Sequence, residues 1–168
     1  MEAVVPLKSA VTVRHANRAD VFVLYEMLLA SAVAQGGESE LCVNPKNLLE
    51  DGFGEDWSRF QCLLAEVDGR IAGIALYFFI YSTWTSRCIL YLEDLFVKPL
   101  ARRHGVARAL MAKLAAIAVE GGCKEARWLV LTDNLPARRF YEAIGAEGTD
   151  QCIPMFLQHE GLKELLKG

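Results

Sequence analysis

Residues 89–122 read ILYLEDLFVKPLARRHGVARALMAKLAAIAVEGG, and this stretch decides the fold. Residues 89–97 are apolar except for two adjacent acids, which is typical of a strand buried on both faces inside a sheet. Pro99 stops the strand, and a short basic loop leads into an alanine- and leucine-rich helix over residues 106–120. Gly121 and Gly122 end that helix. The order of strand, basic loop and helix predicts a crossover to a further, parallel strand.

The segments on either side continue the alternation of strands and helices. Before the central stretch, the pattern predicts a strand over 11–14, a helix from Val21 to Ala32 capped by Asp20, a short helix over 45–50 capped by Asn44, and two strands over 61–67 and 70–81 joined by an Asp68-Gly69 hairpin turn. After it, the pattern predicts a parallel strand over 127–131, a helix over 136–144, an edge strand over 153–157 and a helical turn over 162–167. This order favours an α/β fold with a mixed, mostly antiparallel sheet.

Positive charge is concentrated in the loop between the central strand and its helix. Residues 98–108 hold four basic side chains and no acid, so the rest of a chain whose net charge is −3 carries −7. The loop enters the helix at Gly105, where unpaired backbone N–H groups and the helix dipole favour an anion such as a phosphate. The alternative is a solvated loop that only aids solubility, and the charge cluster alone leaves both open. The loop matches neither a Walker A motif nor a dinucleotide fingerprint.

Glu93 and Asp94 interrupt the otherwise apolar strand. Burying a carboxylate costs several kcal/mol unless it is paired or faces a wet cleft. Taken alone, the two residues are interpreted as structural acids bonded to backbone or arginine groups.

Length and composition limit the class of protein. With 168 residues, 53% of them hydrophobic and 23% charged, the chain predicts one packed domain over residues 1–168. Its 18 basic and 21 acidic residues give no general basic excess, so nucleic acid is not expected as a partner. Residues 71–86, the longest uncharged stretch, are too short and too polar to span a bilayer, and the first residues do not form a secretory signal.

The cysteine and histidine patterns predict neither a disulfide framework nor a metal site. The five cysteines are odd in number, widely spaced and without a CxxC motif, which predicts reduced thiols in a cytoplasm; they are Cys42, Cys62, Cys88, Cys123 and Cys152. The three histidines are scattered, so no metal is expected.

A third informative pattern follows the strand predicted over 127–131. Asn134, Pro136 and Ala137 stand at the start of a helix that carries Tyr141 and ends before Gly145. On its own, Tyr141 is interpreted as a half-buried packing aromatic. Its combination with the basic loop and the acid pair changes that interpretation.

Four features follow one another along this sequence. They are an acid-bearing strand, the motif Arg-x-x-Gly-x-Ala at a helix start, a further strand, and the motif Asn-x-Pro-Ala-x-x-Phe-Tyr-x-x-x-Gly. At these residues, the sequence resembles the GNAT superfamily of acetyl-CoA-dependent N-acetyltransferases over about residues 11–156. Three segments resemble its diamine (spermidine/spermine) acetyltransferase branch, namely DGFGE at 51–55, YFFIYSTW at 77–84 and YLED at 91–94. Within the second segment, YSTW is most similar to the thialysine-acetylating relatives. The resemblance implies a GNAT-type sheet splayed between two parallel central strands, with helices on both faces.

The resemblance also implies a seat for acetyl-CoA as co-substrate. Its pantetheine arm would bond backbone groups of Leu95, Phe96 and Val97. Its diphosphate would lie on the loop and helix start formed by Arg102, Arg103, His104, Gly105, Val106, Ala107 and Arg108. Asn134, Pro136 and Ala137 would hold the cofactor arm.

Transfer to an amine requires a general base, because the ammonium form has no lone pair with which to attack the thioester. Glu93 is the favoured base, directly or through water, with Asp94 as the second candidate; both are also expected to contact the acceptor. Tyr141 matches the family tyrosine that protonates the leaving sulfur. Direct transfer forms no acyl-enzyme, so the cysteines are expected to be packing residues.

The acceptor end departs from the polyamine pattern. Where polyamine acetylators carry acids, this chain has the neutral residues Gln35, Ser82 and Gln151. Neutral side chains cannot neutralise a second or third ammonium, so a short acceptor such as thialysine is favoured over spermine. Trp84 is expected either to line the acceptor site, with Gln35 and Gln151, or to pack at a loop. The remaining acids near the first helix are interpreted as solvated surface residues; they are Glu26, Glu38 and Glu40.

The sequence therefore predicts an enzyme that acetylates a primary amine of a small diamine or a lysine-like amino acid. The resemblance implies a homodimer, and the cysteine pattern indicates a cytoplasmic location. The alternatives are acetylation of a protein N-terminus, a lysine side chain or an aminoglycoside, because the acceptor groove is the variable part of such folds. A non-catalytic acyl-CoA-binding module would use the same basic loop.

Overall fold

The computed structural model describes residues 10–54 and 58–167. Its strands form one sheet in the order β1-β2-β3-β4-β5, with β1 (Val11–His15), β2 (Gln61–Val67), β3 (Arg70–Ser82), β4 (Arg87–Val97) and β5 (Ala126–Arg127). All neighbouring strands are antiparallel except β4 and β5, which are parallel. The helices are α1 (Val21–Gln35), α2 (Pro45–Phe53), α3 (Val106–Glu120), α4 (Leu135–Ala143) and α5 (His159–Leu165). This mixed α/β architecture confirms the fold class that the sequence implies.

The chain divides into two compact units, of which one ends at Leu129 and the other begins at Val130. The first unit holds the sheet with α1, α2 and α3, and the second holds α4 and α5. A single domain over residues 1–168 stays a prediction.

Helices cover both faces of the sheet in the first unit. On one face, α3 packs with Val106, Leu110 and Leu114 into a buried cluster that includes Tyr77 and Leu90. On the other face, α1 and α2 contribute Leu24, Met27 and Leu48 to a cluster with Leu64, Ile74 and Phe96. Burial from both sides explains why β3 and β4 are nearly continuous apolar runs.

The turn between β2 and β3 has the conformation that Asp-Gly predicts. Asp68 has a φ of 51° and Gly69 a φ of 71°, and a two-residue type I′ turn requires both residues in this left-handed region. β2 has its predicted bounds, and β3 extends one residue beyond its predicted end. The two turn residues therefore set the register in which β2 pairs with β3.

The starts of α1 and α2 differ in how well the sequence predicts them. Asn44 caps α2 as expected, because its side chain accepts a hydrogen bond of 3.0 Å from the N–H of Asn47. Asp20 directly precedes α1, but its carboxylate does not cap the helix. Its two oxygens instead accept hydrogen bonds of 2.7 and 2.8 Å from Arg14. A cationic guanidinium is a stronger donor than a helix amide, so it competes successfully for the carboxylate.

The last part of the sheet is smaller than predicted. β5 pairs with β4 only at Ala126 and Arg127, so the strand predicted over 127–131 ends at its first residue. Residues 153–157 lie within the described chain but form no strand, and Ile153 and Met155 are exposed. A continuous apolar run suggests an edge strand there, where one proline is tolerated, but no strand of the described sheet pairs with it.

Two cysteines are not reduced, contrary to the expectation. Cys88 in β4 and Cys123 after α3 form a disulfide with their Cα atoms 4.7 Å apart. The turn at the end of α3 brings the chain back beside β4, where the N–H of Lys124 donates to the carbonyl of Cys88. Spacing along the sequence does not reveal this pairing, because it depends on the crossover from β4 through α3. The free cysteines are Cys42, Cys62 and Cys152.

Candidate active site

A cavity of about 450 Å³ lies in the first unit, lined by residues of α1, the segment after it, α2 and the sheet. Its apolar wall includes Leu28, Leu41, Val43, Leu48, Phe60 and Leu76. Its polar side chains are Ser31, Gln35, Glu40, Glu93 and Asp94. No basic residue of the described chain lines this cavity. Such a lining favours a ligand that combines apolar groups with positive charge.

The two acids of β4 reach the same cavity because the pairing of β4 with β3 is irregular. Asp94 pairs with Leu76, and the next residue of β3, Tyr77, pairs with Leu92, which leaves Glu93 as an extra residue. A regular strand would send two adjacent side chains to opposite faces. The bulge breaks that alternation and re-aims the side chains, so both carboxylates line one wall.

Asp94 is a half-buried acid with a perturbed proton affinity. Burial, followed by the negative charge of Glu93, raises the pKa of Asp94 from 3.8 to about 6. No lysine, arginine or histidine of the described residues forms an ion pair with either acid. The interpretation of the pair as structural acids held by arginine therefore does not apply to this part of the chain. Two unneutralised carboxylates instead favour a bound cation.

Cys62 is a buried neighbour of this acid pair. Burial, and after it the charge of Asp94, raises the pKa of Cys62 to about 12. The thiol is therefore protonated at neutral pH, and it is a poor nucleophile. This agrees with the expectation that Cys62 is a packing residue.

Gln35 lines the cavity together with the acids, and its contact with the acceptor stays a prediction. It is the last residue of α1, and its Nε2 donates to the carbonyl and to the Oγ of Ser31, at 3.3 and 3.2 Å. Ser31 is itself buried. One turn of helix therefore holds the Gln35 amide in a defined orientation.

Glu40 lines the cavity although the residue is exposed. Its exposure agrees with its interpretation as a solvated surface acid, and its place at the cavity was not predicted. Gly36 ends α1 with a φ of 72°, and a 3₁₀ turn over Glu38–Glu40 follows. No sequence pattern identifies Glu40, because its position depends on how this turn lies beside the sheet.

Two other positions of the first unit expected at the acceptor end, Trp84 and Ser82, lie outside the lining of this cavity. Trp84 is 98% exposed in the turn between β3 and β4, so it neither lines the cavity nor packs at the loop. Ser82 is buried, and its Oγ accepts a hydrogen bond from the N–H of Thr85. Gln151 is an exposed residue of the second unit, where its N–H donates to Thr149.

The basic loop has the backbone shape of an anion seat. Arg103 has a φ of 67° and Gly105 a φ of 86°, so the chain passes twice through the left-handed region before α3 begins. Gly105 is the N-cap of α3, and no side chain caps the helix. The N–H groups of Val106, Ala107 and Arg108 therefore lack a partner inside the helix. Val106 is buried in the core, which fixes the position of this helix start.

The charges of this loop are not neutralised by acids. Within the described chain, no ion pair involves Lys98, Arg102, Arg103 or Arg108. Nε of Arg102 donates to the carbonyl of Val97 at 3.1 Å, and Nδ1 of His104 lies 2.7 Å from the carbonyl oxygen of Arg102. These contacts hold the loop against the end of β4 while its charge stays available to an anion.

Leu95, Phe96 and Val97 form the end of β4 next to this loop. β3 pairs with all three residues, whereas the parallel pairing with β5 stops at Tyr91. On its other side, this part of β4 has no described strand partner. That geometry agrees with the separation of parallel strands that the resemblance implies.

The second unit carries the remaining predicted residues. Asn134 is the N-cap of α4, where its side chain accepts a hydrogen bond of 3.2 Å from the N–H of Ala137, and Pro136 occupies the first turn. Tyr141 is half-buried within α4, and burial raises the pKa of its hydroxyl. The phenol therefore keeps its proton at neutral pH. The cofactor and catalytic roles of these residues stay predictions.

Over the described part of the chain, the protein offers neither a cluster of metal ligands nor a membrane-spanning helix. No group of three His, Cys, Asp or Glu residues there could hold a metal ion. Among the helices of the described ranges, none is long and apolar enough to cross a membrane.

This chain is similar to known proteins in sequence and in fold. Residues 24–146 match the acetyltransferase (GNAT) family. A thialysine N-epsilon-acetyltransferase from Sus scrofa is 35% identical over 146 residues, which cover 82% of this chain and 85% of the relative. The Mus musculus protein of the same name is 33% identical over 164 residues, covering 91% and 95%. An integron cassette protein from V. cholerae has a TM-score of 0.79 at 23% identity, covering 94% of this chain and 98% of its own, and shows likeness of fold. Because most of this chain matches the family, the chain belongs to the acetyltransferase (GNAT) family and is an N-acetyltransferase.

Proposed function

We propose that this N-acetyltransferase transfers the acetyl group of acetyl-CoA directly to a primary amine of a small diamine or of a lysine-like amino acid such as thialysine. The observation that carries the proposal is the cavity in which Glu93 and Asp94 stand without a basic partner among the described residues. An ammonium group would supply the missing positive charge. The similarity to proteins named thialysine N-epsilon-acetyltransferases supports the same class of acceptor.

The residues at the start of α3 fit coenzyme A. Its diphosphate needs backbone N–H donors and positive charge, and the uncapped helix start beside Arg102, Arg103 and Arg108 offers both. The unpaired side of β4 at Leu95–Val97 offers backbone groups to the pantetheine arm. Asn134, Pro136 and Ala137 are proposed to contact the same arm by resemblance. When bound, acetyl-CoA supplies the activated acetyl group.

In the proposed reaction, Glu93 accepts a proton from the acceptor ammonium, directly or through water. The free amine then forms the new N–C bond to the acetyl carbon, and the bond from that carbon to sulfur breaks. The nitrogen gives up its second proton to solvent as the neutral amide forms, and solvent returns a proton to Tyr141 after it has protonated the thiolate. Asp94 is the second candidate for the base, because its pKa of about 6 allows it to hold a proton near neutral pH. Tyr141 is proposed to protonate the leaving thiolate, and its raised pKa keeps that proton available.

A panel of amines tests this proposal. Thialysine, lysine, putrescine, spermidine and spermine are each assayed with acetyl-CoA by release of free thiol. We expect the short acceptors to have a higher kcat/KM than spermine. Equal turnover of spermine and thialysine contradicts the assignment of a short acceptor. Thiol release with none of the amines, together with calorimetric binding of acetyl-CoA, supports a non-catalytic acyl-CoA-binding module instead.

The oligomeric state and the location in the cell remain predictions from the sequence. The homodimer is implied by resemblance. The cytoplasmic location is predicted from cysteine use, and the disulfide between Cys88 and Cys123 does not add support, because cytosolic thiols are mostly kept reduced.

A further inference from the structure

Phe60 forms part of the apolar wall of the cavity, and its ring packs on the last turn of α2. The rings of Phe60 and Phe53 meet edge to face, with their centroids 6.4 Å apart. Both rings also pack against the buried cluster that includes Leu48, which lines the same cavity. Packing therefore fixes the Phe60 ring on the side of α2 and the core, and the cavity borders it as unfilled space.

The residue before Phe60 is fastened to the same helical turn. The N–H of Arg59 donates to the carbonyl of Asp51 at 2.6 Å, and its Nε donates to Oδ1 of Asp51, also at 2.6 Å. The end of α2 is held in turn by Arg18, which donates to the carbonyl of Phe53 at 3.0 Å. These contacts set the point from which the Phe60 side chain starts, so its ring has a defined place on α2.

Gly52 is the residue of α2 against which the Phe60 ring lies. A Cβ atom at position 52 would be 2.6 Å from Cε2 and 3.2 Å from Cε1 of Phe60, whereas carbon atoms in ordinary contact are about 3.5–4.0 Å apart. Alanine favours a helix more than glycine does, and Gly52 is not among the described glycines with a positive φ. Neither helix formation nor backbone conformation therefore explains a glycine here, but the ring contact does.

A side chain at position 52 would change the cavity without entering it. Gly52 does not line the cavity, but it lies one helical turn after Leu48, so the two residues share a face of α2. The atoms that a Cβ would meet are at the far end of the Phe60 side chain, so the ring moves and the backbone need not. The core beneath the ring is close-packed and resists this movement, so the ring is displaced towards the cavity.

From these contacts, and resting on the proposed function, we propose that Phe60 sets the width of the acceptor cavity and that Gly52 is a positioning residue that lets the ring lie back against α2. The acids of β4 attract the charge of the acceptor, and the aromatic wall limits the shape of its carbon chain. The cavity thereby favours an acceptor whose chain has no branch between its two polar ends.

Two diamines that differ by one methyl group test the role of Phe60. 1,5-Diaminopentane and 3-methyl-1,5-diaminopentane carry the same two ammonium groups, and kcat/KM for each is measured by thiol release with saturating acetyl-CoA. We expect the wild type to prefer the unbranched diamine roughly tenfold, and Phe60→Leu to reduce this preference to about threefold or less. Phe22→Leu, at an exposed position of α1, is the control and should leave the preference unchanged. The ratio of two kcat/KM values does not depend on the amount of folded enzyme, so a folding defect cannot produce this result.

The role of Gly52 is tested in two backgrounds. We expect Gly52→Ala to raise the preference for the unbranched diamine about threefold further, because the displaced ring narrows the cavity. In a Phe60→Ala background, the same substitution is expected to leave the preference unchanged, because no ring remains to be displaced. Gly148→Ala is the matched control, since nothing lies within 4 Å of a Cβ built there. An effect of equal size in both backgrounds, or a lower preference in Gly52→Ala, shows that Gly52 does not act in this way.

The possible results separate this inference from the proposed function. Equal kcat/KM of the wild type for the two diamines, or a preference that Phe60→Leu does not change, overturns the role of Phe60 while acetyl transfer stands. Thiol release by the wild type with no amine overturns the proposed function, and the inference with it.

Discussion

Asp94 lines the proposed acceptor cavity, and its ionisation also affects stability. Its carboxyl has a pKa of about 6 in the folded chain and an ordinary value of 3.8. A raised carboxyl pKa means that the folded state binds the proton more tightly than the unfolded state. Ionisation of Asp94 therefore destabilises the fold above pH 6, and this destabilisation disappears as the pH falls from 6 towards 4.

We expect Asp94→Asn to stabilise the protein at pH 7.5 by on the order of 2 kcal/mol, because no charge is then buried. At pH 4, the gain should be close to zero. The free energy of unfolding from urea titrations at both pH values checks this. A stability gain that is the same at both pH values indicates a packing effect instead. If Asp94 binds the acceptor, the same variant loses affinity for amines.

Glu93→Gln tests the proposed base. We expect the rate to fall roughly a hundredfold at neutral pH, a typical loss for a general base, and to fall less at high pH, where more of the amine is already deprotonated. Profiles of kcat/KM against pH for the wild type and variant measure the ratio. Glu50→Gln, an exposed acid on α2, serves as the control. A ratio that stays constant over pH argues against Glu93 as the base.

At the scale of elements, β3 and α3 approach each other at Gly73. A Cβ atom at this position would lie 2.9 Å from Cγ1 of Val106 and 3.0 Å from the carbonyl oxygen of Phe96. We expect Gly73→Ala to destabilise the fold by about 1–3 kcal/mol through overpacking. Gly148→Ala is the matched control, because nothing lies within 4 Å of a Cβ built there. Equal urea midpoints for the two variants contradict the close approach.

The basic loop leads directly into the start of α3. We expect Arg102→Ala and Arg103→Ala to raise KM for acetyl-CoA more than they lower kcat, because phosphate contacts are distant from the reacting carbon. The effect should shrink at high salt, which screens exposed charges. Arg87→Ala at the exposed start of β4 is the control. If only kcat falls, the result contradicts a contact between these arginines and the cofactor.

Most elements of the first unit follow from local sequence. Asp68-Gly69 sets a hairpin, Asn44 caps α2, and α3 has its predicted bounds because its residues favour helix and glycines follow it. The strand predicted over 153–157 is wrong, because an apolar run alone does not supply a neighbouring strand. Asp20 precedes a helix as predicted, yet it bonds to Arg14 instead of capping, since a distant cation competes for it.

At the scale of the molecule, the disulfide closes the crossover from β4 through α3. Cys88 and Cys123 are 35 residues apart, and a bond across such a loop stabilises a fold by up to about 4 kcal/mol. We expect Cys123→Ser, or a reducing agent, to lower the urea midpoint of the wild type. Cys42→Ser is the control, because this exposed cysteine is free. A midpoint that does not respond to reductant contradicts a disulfide in solution.

The sequence by itself determined the α/β architecture, the basic loop before α3 and the acid pair of β4, because periodicity, capping and local charge depend on neighbouring residues. The tertiary structure alone decided which acids share a cavity. The β4 bulge aims Glu93 and Asp94 at one wall, and the turn after α1 adds Glu40. It also decided that Cys88 meets Cys123. These outcomes depend on contacts between segments that are distant along the chain, and side-chain spacing in a sequence carries no record of such contacts.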